Sequence, residues 1–390
     1  MSDANATERI ALHIEPLDNL FFRSGRPMES GSRNRSELPG PQNLLGMIRT
    51  YVWGACGCDF SKLATALKQG GGFVEAARQN GVPDWAANLE VRGPWLGQFP
   101  QNGQAPTDLF LPLPANVEPG ADNYWVLQPA QQTLPGWTTD ESESLPLWNR
   151  SWARERVSPP AHAATKKSEY RLIRLEGLRK YLAGDTKIPI SSDPNDDPCF
   201  MSPQKLYALE AKVGIGLSLE TGTVEQGLLF STDLLRLNRK HCGGFYAEIY
   251  TTSSAELRRL FEAPVVLTFG GESRCVCVQA VTPLTWPTIP DAKSRCFYLI
   301  SPGISGTTAL PRSLTCNAGT VATAVRDSFS VSGWDLARHG PKPARFGVSA
   351  GSVYFTKETK PCEPLTSLCT DIEDRAAGYG AVLQGVWNYA

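Results

Sequence analysis

The chain has 390 residues, with 38 Lys and Arg against 39 Asp and Glu, a formal charge of −1. Hydrophobic residues make up 41% and charged residues 20%, which supplies material for real cores and excludes wholesale disorder. No apolar run approaches the ~18 residues of a membrane-spanning helix, and at ~150 residues per domain the length predicts two to three domains.

Gly 35 plus Pro 30 is 65 of 390, about 17%, which favours strands, turns and ordered loops over a helical bundle. At the N-terminus Ile10, Leu12 and Ile14 alternate with Ala11, His13 and Glu15, the period of a half-buried strand. The strand runs into FFRSGRP and the polar stretch GSRNRSELPG. A helix is expected from Pro41, with Leu44, Leu45, Ile48 and Val52 as its apolar stripe. Residues 61–90 read as helical with an interruption at Gly70, Gly71 and Gly72. Residues 91–160 are Pro-rich with scattered strand-like pieces, and read as an insertion. Glu169–Leu182 reads as a helix ended by Gly184, and 191–198 as a solvated Asp/Pro connector.

Beyond that connector the pattern turns to sheet. KVGIGLSLETGTVEQGLLF is a hairpin, FYAEIY a strand, and SAELRRLFEA a short helix. VVLTFGGESRCVCVQAV is a strand, a Gly-Gly turn and a second strand; RCFYLIS, GSVYF and GYGAVLQGVW continue the habit. The order of elements fits α+β architecture with two ferredoxin-like, RRM-like βαββαβ domains. The first is placed at 1–281, with a large Pro-rich insertion near 91–200, and the second at 282–390.

Charge is unevenly distributed. Gly93–Asn149 contains no Lys or Arg, whereas Arg150–Lys180 carries nine against three Glu, a surplus of six. Arg23, Arg26, Arg33, Arg35 and Arg49 outnumber Glu29 and Glu37 by three. Separated basic stretches in a neutral chain suit one polyanion-binding face, or ordinary solvated surface. The ten cysteines form no CxxC and no zinc-finger spacing, so reduced, buried thiols of a cytoplasmic protein are expected. The leading MSDANATERI has no apolar signal core, in keeping with that compartment.

Catalytic signatures are sparse. His13, His162, His241 and His339 are scattered without metal spacing, and there is no GxSxG, Walker or dinucleotide motif. No cofactor or metal is expected. His241, in RLNRKHCGG beside Arg239 and Lys240, is the one histidine flanked by phosphate-binding cations; it is a candidate RNA contact or general acid–base. FFRSGRP places Arg23 and Arg26 with Phe21 and Phe22 around Gly25, a composition that grips single strands by stacking and phosphate contacts. Adjacent strand residues point oppositely, so one of the two Phe belongs to the core. Gly-rich turns offer backbone N–H groups to phosphate, which brings Gly378 and Gly380 into consideration.

Six stretches in order carry a family resemblance: IEPLDNLFFRSGRP with PQNLLGMIRT, KVGIGLSLETGTVEQGLLF, FGGESR, SGWDLARHGPKPARFGVSAGSVYF and GYGAVLQGVW. Together they resemble the family of subunit three of the Cmr module, repeat-associated RNA-binding (RAMP) proteins of type III-B CRISPR effector complexes. Residues 55–200 match least; Ser24 and Met28 depart from the family's acidic and aromatic residues. The resemblance implies a non-catalytic subunit that holds the 5′ repeat-derived tag of the CRISPR RNA (crRNA). It implies contact with the large palm-domain subunit and the adjacent backbone RAMP subunit. It also carries over Arg23, Gly25 and Arg26, then Gly46 and Arg49, then Gly270, Gly271, Glu272 and Arg274, and finally Trp334, Lys342 and Arg345. Glu272 could accept from a base or a 2′-hydroxyl, orient Arg274, or satisfy its own turn. Gly270 and Gly271 allow positive φ or close RNA approach. Rival readings are an endoribonuclease of precursor crRNA using His241, an architectural subunit, and the tag-binding subunit of another type III subtype.

Overall fold

The computed structural model describes residues 8–22, 33–100, 104–120, 123–130, 147–148, 171–191, 193, 197–218, 220–288, 294–304, 319–335, 340–357 and 367–389. The fold is α+β with mostly antiparallel sheets, in two compact units. The first comprises Met1–Thr107, Gln204–Leu284 and Ser330–Arg345; the second comprises Asp108–Pro203, Thr285–Phe329 and Phe346–Ala390. The expected division is at 281/282; here each unit is assembled from three separated segments, and the stretch from Asp108 to Pro203 interrupts the first unit in sequence while grouping with the second.

In the first unit, β1 (Glu8–Pro16) buries Ile10, Leu12 and Ile14, as its alternation requires. A three-residue strand, β2 (Arg33–Arg35), precedes α1 (Pro41–Ala55). Pro41 fills the first helical position, Asn43 Oδ1 accepts from Gly40 N–H at 2.9 Å, and Leu44, Ile48 and Val52 are buried. The interrupted stretch after it resolves into helices Phe60–Lys68, Phe73–Gln79 and Asp84–Ala87, tied to α1 by Trp53 Nε1 donating to Ala86 O.

Next comes β3 (Glu90–Gln98), then a long hairpin of β4 (Tyr207–Leu217) and β5 (Val224–Leu237). β6 (Gly244–Thr251), α2 (Ser254–Leu260), β7 (Val265–Thr268) and β8 (Cys275–Val281) complete the unit's main sheet and its helical layer. That sheet runs in the order β3-β6-β1-β8-β7 with every neighbouring pair antiparallel. Both α1 and α2 pack on the sheet and touch one another, and Tyr51 of α1 donates to Leu260 O at 2.9 Å. The hairpin is a separate small sheet to which β2 adds in parallel, Arg33 opposite Ser231 and Arg35 opposite Asp233.

The second unit repeats the same logic. β9 (Ser294–Leu299), β10 (Gly319–Ala324), β11 (Val353–Lys357), α3 (Ile372–Ala376) and β12 (Val382–Val386) give a sheet ordered β10-β11-β9-β12, again wholly antiparallel. Phe297, Leu299, Val348, Tyr354, Leu368 and Val382 form a buried cluster on it. The helix expected at Glu169–Leu182 begins later, at Leu175–Leu182, after a short strand Leu172–Ile173. It ends at Gly184 (φ 87), whose added Cβ would lie 3.0 Å from Val386. The connector near 191–198 is anchored by Asp197, 2% exposed, whose carboxylate accepts from the N–H groups of Ser191, Cys199 and Phe200. Among the described residues no helix is long and apolar enough to cross a membrane, and no His, Cys, Asp or Glu group is arranged to hold a metal.

Candidate nucleic-acid interface

The Gly-Gly-Glu turn between β7 and β8 is built on the segment that follows β1. Gly271 N–H donates to Phe21 O at 2.7 Å, and Phe269 N–H closes the turn on Arg274 O at 2.7 Å. Gly270 has φ 92, and a Cβ there would lie 2.5 Å from Phe21 O and 2.9 Å from the Phe22 ring. The requirement for glycine at 270 is therefore met inside the chain, by close approach of its own backbone, without invoking RNA. Glu272 (φ 56) and Ser273 (φ 53) also take left-handed conformations, each a cost of order 1–2 kcal/mol for a residue with a Cβ.

Phe22 is corrected by this packing. Its ring is 3% exposed and meets Phe269 edge-on at 4.9 Å, and Phe21 is buried too, so both aromatics are core and neither offers a free face to a base. Both precede the basic segment 23–32, and Phe22 is bonded to the chain that follows it. Phe22 N–H donates to Ser36 Oγ (3.0 Å), Glu37 N–H to Phe22 O (3.1 Å), and Leu20 bridges Leu235 in β5. Arg23, Gly25 and Arg26 lie outside the described residues, as do the side chains of Arg33, Arg35 and Trp334. The two ends of the segment carrying these arginines are thus fixed together beside the Gly-Gly turn, although the turn is almost 250 residues away in sequence.

Around the turn runs a chain of ion pairs that the sequence did not single out as a group. Lys212 reaches Glu272 (3.6 Å), Glu272 meets Arg274 (3.3 Å), Arg274 meets Asp18 (3.3 Å), Asp18 meets Arg236 (3.5 Å), and Arg236 binds Glu210. The Arg236 hydrogen bond holds the Glu210 carboxyl below its ordinary range and raises Arg236 in turn. Glu210 and Lys212 are two apart on β4 and so share a face; that spacing was the available signal. Of the roles open to Glu272, the structure shows a contact with Arg274 and adds Lys212.

Helix α1 separates its two candidates. Gly46 is exposed, with nothing within 4 Å of an added Cβ. Arg49, by contrast, is 7% exposed, its guanidinium 5.4 Å from the Trp53 ring and 5.0 Å from the Phe73 ring. It ties α1 to the small helices and is not a surface cation. At the start of α1, Gln42 Nε2 donates to Ser332 O at 3.2 Å, which brings Ser332 to the helix. There Trp334 pairs with Pro341, Lys342 N–H donates to Gly333 O, and Lys342 and Arg345 are exposed.

The turn carrying Arg239, Lys240 and His241 closes on Asn238, whose carbonyl accepts from His241 and Cys242 N–H groups. Arg239 lies against Pro16 O (3.3 Å) and Glu15 (3.5 Å). Beneath it, His13 stacks on Phe99 with centroids 3.7 Å apart and shares a 3.1 Å hydrogen bond with Gly243 O. In the second unit, Gly378 and Gly380 are buried and are corrected as RNA contacts. Gly378 (φ 90) ends α3, its carbonyl accepting from Ser301 Oγ; a Cβ on Gly380 (φ 68) would lie 2.8 Å from Cys369 Sγ. In the basic stretch near 150–180, Arg174 pairs with Asp108, and Arg179 and Lys180 with Glu176.

The sequence matches the family described as CRISPR-associated protein (Cas_Cmr3) over residues 12–387. The chain belongs to the Cmr3 family. No curated protein sequence matches this Cmr3-family chain. Among solved structures it is similar to a chain of the "Cryo-EM structure of the Type III-B Cmr-beta bound to cognate target RNA". The match is 15% identical, covers 89% of this chain and 86% of that one, and has a TM-score of 0.46. A second such structure, with AMPPnP in state 1, gives 14% identity, 88% and 86% coverage, and a TM-score of 0.46.

Proposed function

We propose that this chain is the non-catalytic, crRNA-binding subunit of a type III-B CRISPR ribonucleoprotein in the cytoplasm of a prokaryotic cell. It holds the 5′ repeat-derived tag and docks the large palm-domain subunit and the adjacent backbone RAMP subunit. Family membership supports the place in the complex. One observation supports the site: the ends of the basic 23–32 segment are anchored at the Gly-Gly-Glu turn through Phe21 and Phe22. The exposed Gly46 on α1, and the exposed Lys342, bonded to Gly333 beside the Ser332 that Gln42 contacts, extend the same reading, as does the exposed Arg345. Both main sheets are read as ferredoxin-like. If β1, β3, β6 and β8 are the four strands of βαββαβ, their order is 2-3-1-4, and β9, β10, β11 and β12 give 2-3-1-4 again.

The test is sequencing of RNA that co-purifies with the tagged chain, expressed with its neighbouring genes and a CRISPR array. Reads sharing one repeat-derived 5′ end, depleted when Arg23 and Arg26 are both replaced by Ala, are expected. A preparation that retains the partner proteins but enriches no RNA would refute the reading.

A further inference from the structure

A cavity of about 350 Å³ lies between the end of β1 and the turn after β5. That size falls at the lower end of the ~300–1,000 Å³ of small-molecule sites, room for one nucleotide and little more. Its charged walls are two carboxylates, Glu15 and Asp18, and two guanidinium groups, Arg236 and Arg239. Leu17, half exposed, contributes an apolar flank.

The two ion pairs between these walls are loose, although Arg236 also bonds Glu210 and Asp18 also meets Arg274. Arg239–Glu15 and Arg236–Asp18 are both 3.5 Å apart, beyond the ~2.7–2.9 Å of a charge-assisted hydrogen bond. Glu15 is 41% exposed and Arg239 68%, so a ligand can replace their mutual contact at small cost. A carboxylate accepts two parallel N–H groups, and a guanidinium donates two. Guanine is the base that supplies both partners: N1–H with the N2 amino group on one edge, O6 with N7 on the next. Adenine sets an acceptor beside its amino group on the Watson–Crick edge, and the pyrimidines lack the second edge.

We propose that this cavity is a guanine subsite, with Glu15 accepting from N1–H and the N2 amino group and Arg239 donating to O6 and N7. Its biological ligand, a guanosine of the bound RNA, rests on the RNA-binding reading above; the cavity's preference does not. The site also gives the Arg239-Lys240-His241 turn a specific occupant in place of a general attraction to phosphate.

The experiment titrates the full chain with guanosine, inosine and adenosine 5′-monophosphates, followed by saturation-transfer NMR. Binding is expected in the order guanosine, inosine, adenosine, because inosine lacks the N2 amino group. Glu15→Gln is expected to weaken the guanosine nucleotide about tenfold while leaving the adenosine nucleotide unchanged. The sign is decisive: a carboxylate that merely repels phosphate would, once neutralised, let all three bind more tightly, and that result overturns the proposal. Equal binding of the three nucleotides, or none of them binding, overturns it as well. Arg239→Met provides a second variant, with thermal melting as the control for folding. Guanine preference without co-purifying RNA would sink the crRNA reading alone, and tag-bearing RNA without guanine preference would sink this inference alone.

Discussion

Two glycines of the candidate interface make opposite predictions when given the same methyl group. At Gly270 the new Cβ lies 2.5 Å from Phe21 O and 2.9 Å from the Phe22 ring, on a backbone at φ 92. The left-handed conformation costs Ala about 1–2 kcal/mol, and forcing a methyl into packed surroundings costs about 1–3 kcal/mol. Gly270→Ala is therefore expected to destabilise the first unit by about 2–5 kcal/mol. Gly46 sits inside α1 with open space around it. Gly46→Ala should stabilise by about 0.5–1 kcal/mol, the helix penalty of glycine. Urea unfolding followed by tryptophan fluorescence, to which the buried Trp53 of α1 contributes, measures both. If glycine is needed at 46 for close approach of an RNA backbone, the same Gly46→Ala protein loads less tagged crRNA while being harder to unfold. A Gly270→Ala protein as stable as wild type would refute the close-approach argument. Undiminished RNA loading by Gly46→Ala would remove Gly46 from the site.

Arg49→Met should weaken the first unit by about 0.5–2 kcal/mol through loss of its contacts with Trp53 and Phe73. The salt dependence of RNA binding should stay as in wild type, since no phosphate contact is removed. Burial lowers the pKa of His13 from its ordinary 6.5, against the opposing Gly243 hydrogen bond and the Glu15 charge. The unfolded chain then takes up the proton first, so stability falls as pH drops below the unfolded value and levels off below the folded one. Urea midpoints between about pH 8 and about pH 5 should show that loss in wild type, and a smaller one in His13→Gln. Incubation with repeat RNA should leave it intact; cleavage abolished by His241→Ala would establish the endoribonuclease instead.

Local periodicity was readable wherever one face of an element is buried and no breaker intrudes. β1, α1, the β4–β5 hairpin and the β7–β8 pair all lie where alternation, Pro41 and the Gly turns place them. β3 was lost to the supposed insertion because Gly93 and Pro94 stand inside it. The sheet absorbs them in a bulge between the Tyr246–Trp95 and Glu248–Arg92 pairs. At the site, the sequence named residues by motif but could not weigh their burial. Phe22, Arg49, Gly378 and Gly380 have the types that meet RNA, and each is occupied by its own chain. Only long-range packing decides that, and no spacing in a single sequence reports it. The ion pairs were hidden for the same reason: Asp18, Glu210, Arg236 and Arg274 converge from three separated segments.

That convergence bears on how a chain of net charge −1 could hold a polyanion. Lys212, Arg274 and Arg236 are matched one for one by Glu272, Asp18 and Glu210. A phosphate arriving at Arg274 must compete with Glu272 for the same guanidinium. Glu272→Gln therefore discriminates two roles by sign. If Glu272 only occupies the cations, the variant frees Lys212 and leaves Arg274 with Asp18 alone, and RNA loading rises. If Glu272 holds Arg274 in the pose that RNA needs, loading falls, and the adjacent pair of left-handed residues is strain that its two ion pairs help to hold. The left-handed backbone at Glu272 would be relieved by glycine, so Glu272→Gly gives the control. It removes the carboxylate and the strain at 272 together, leaving Ser273 as it is, and a protein more stable than wild type that loads RNA poorly is the outcome that assigns Glu272 to positioning. Loading equal to wild type in both variants would refute any part for Glu272 in RNA binding.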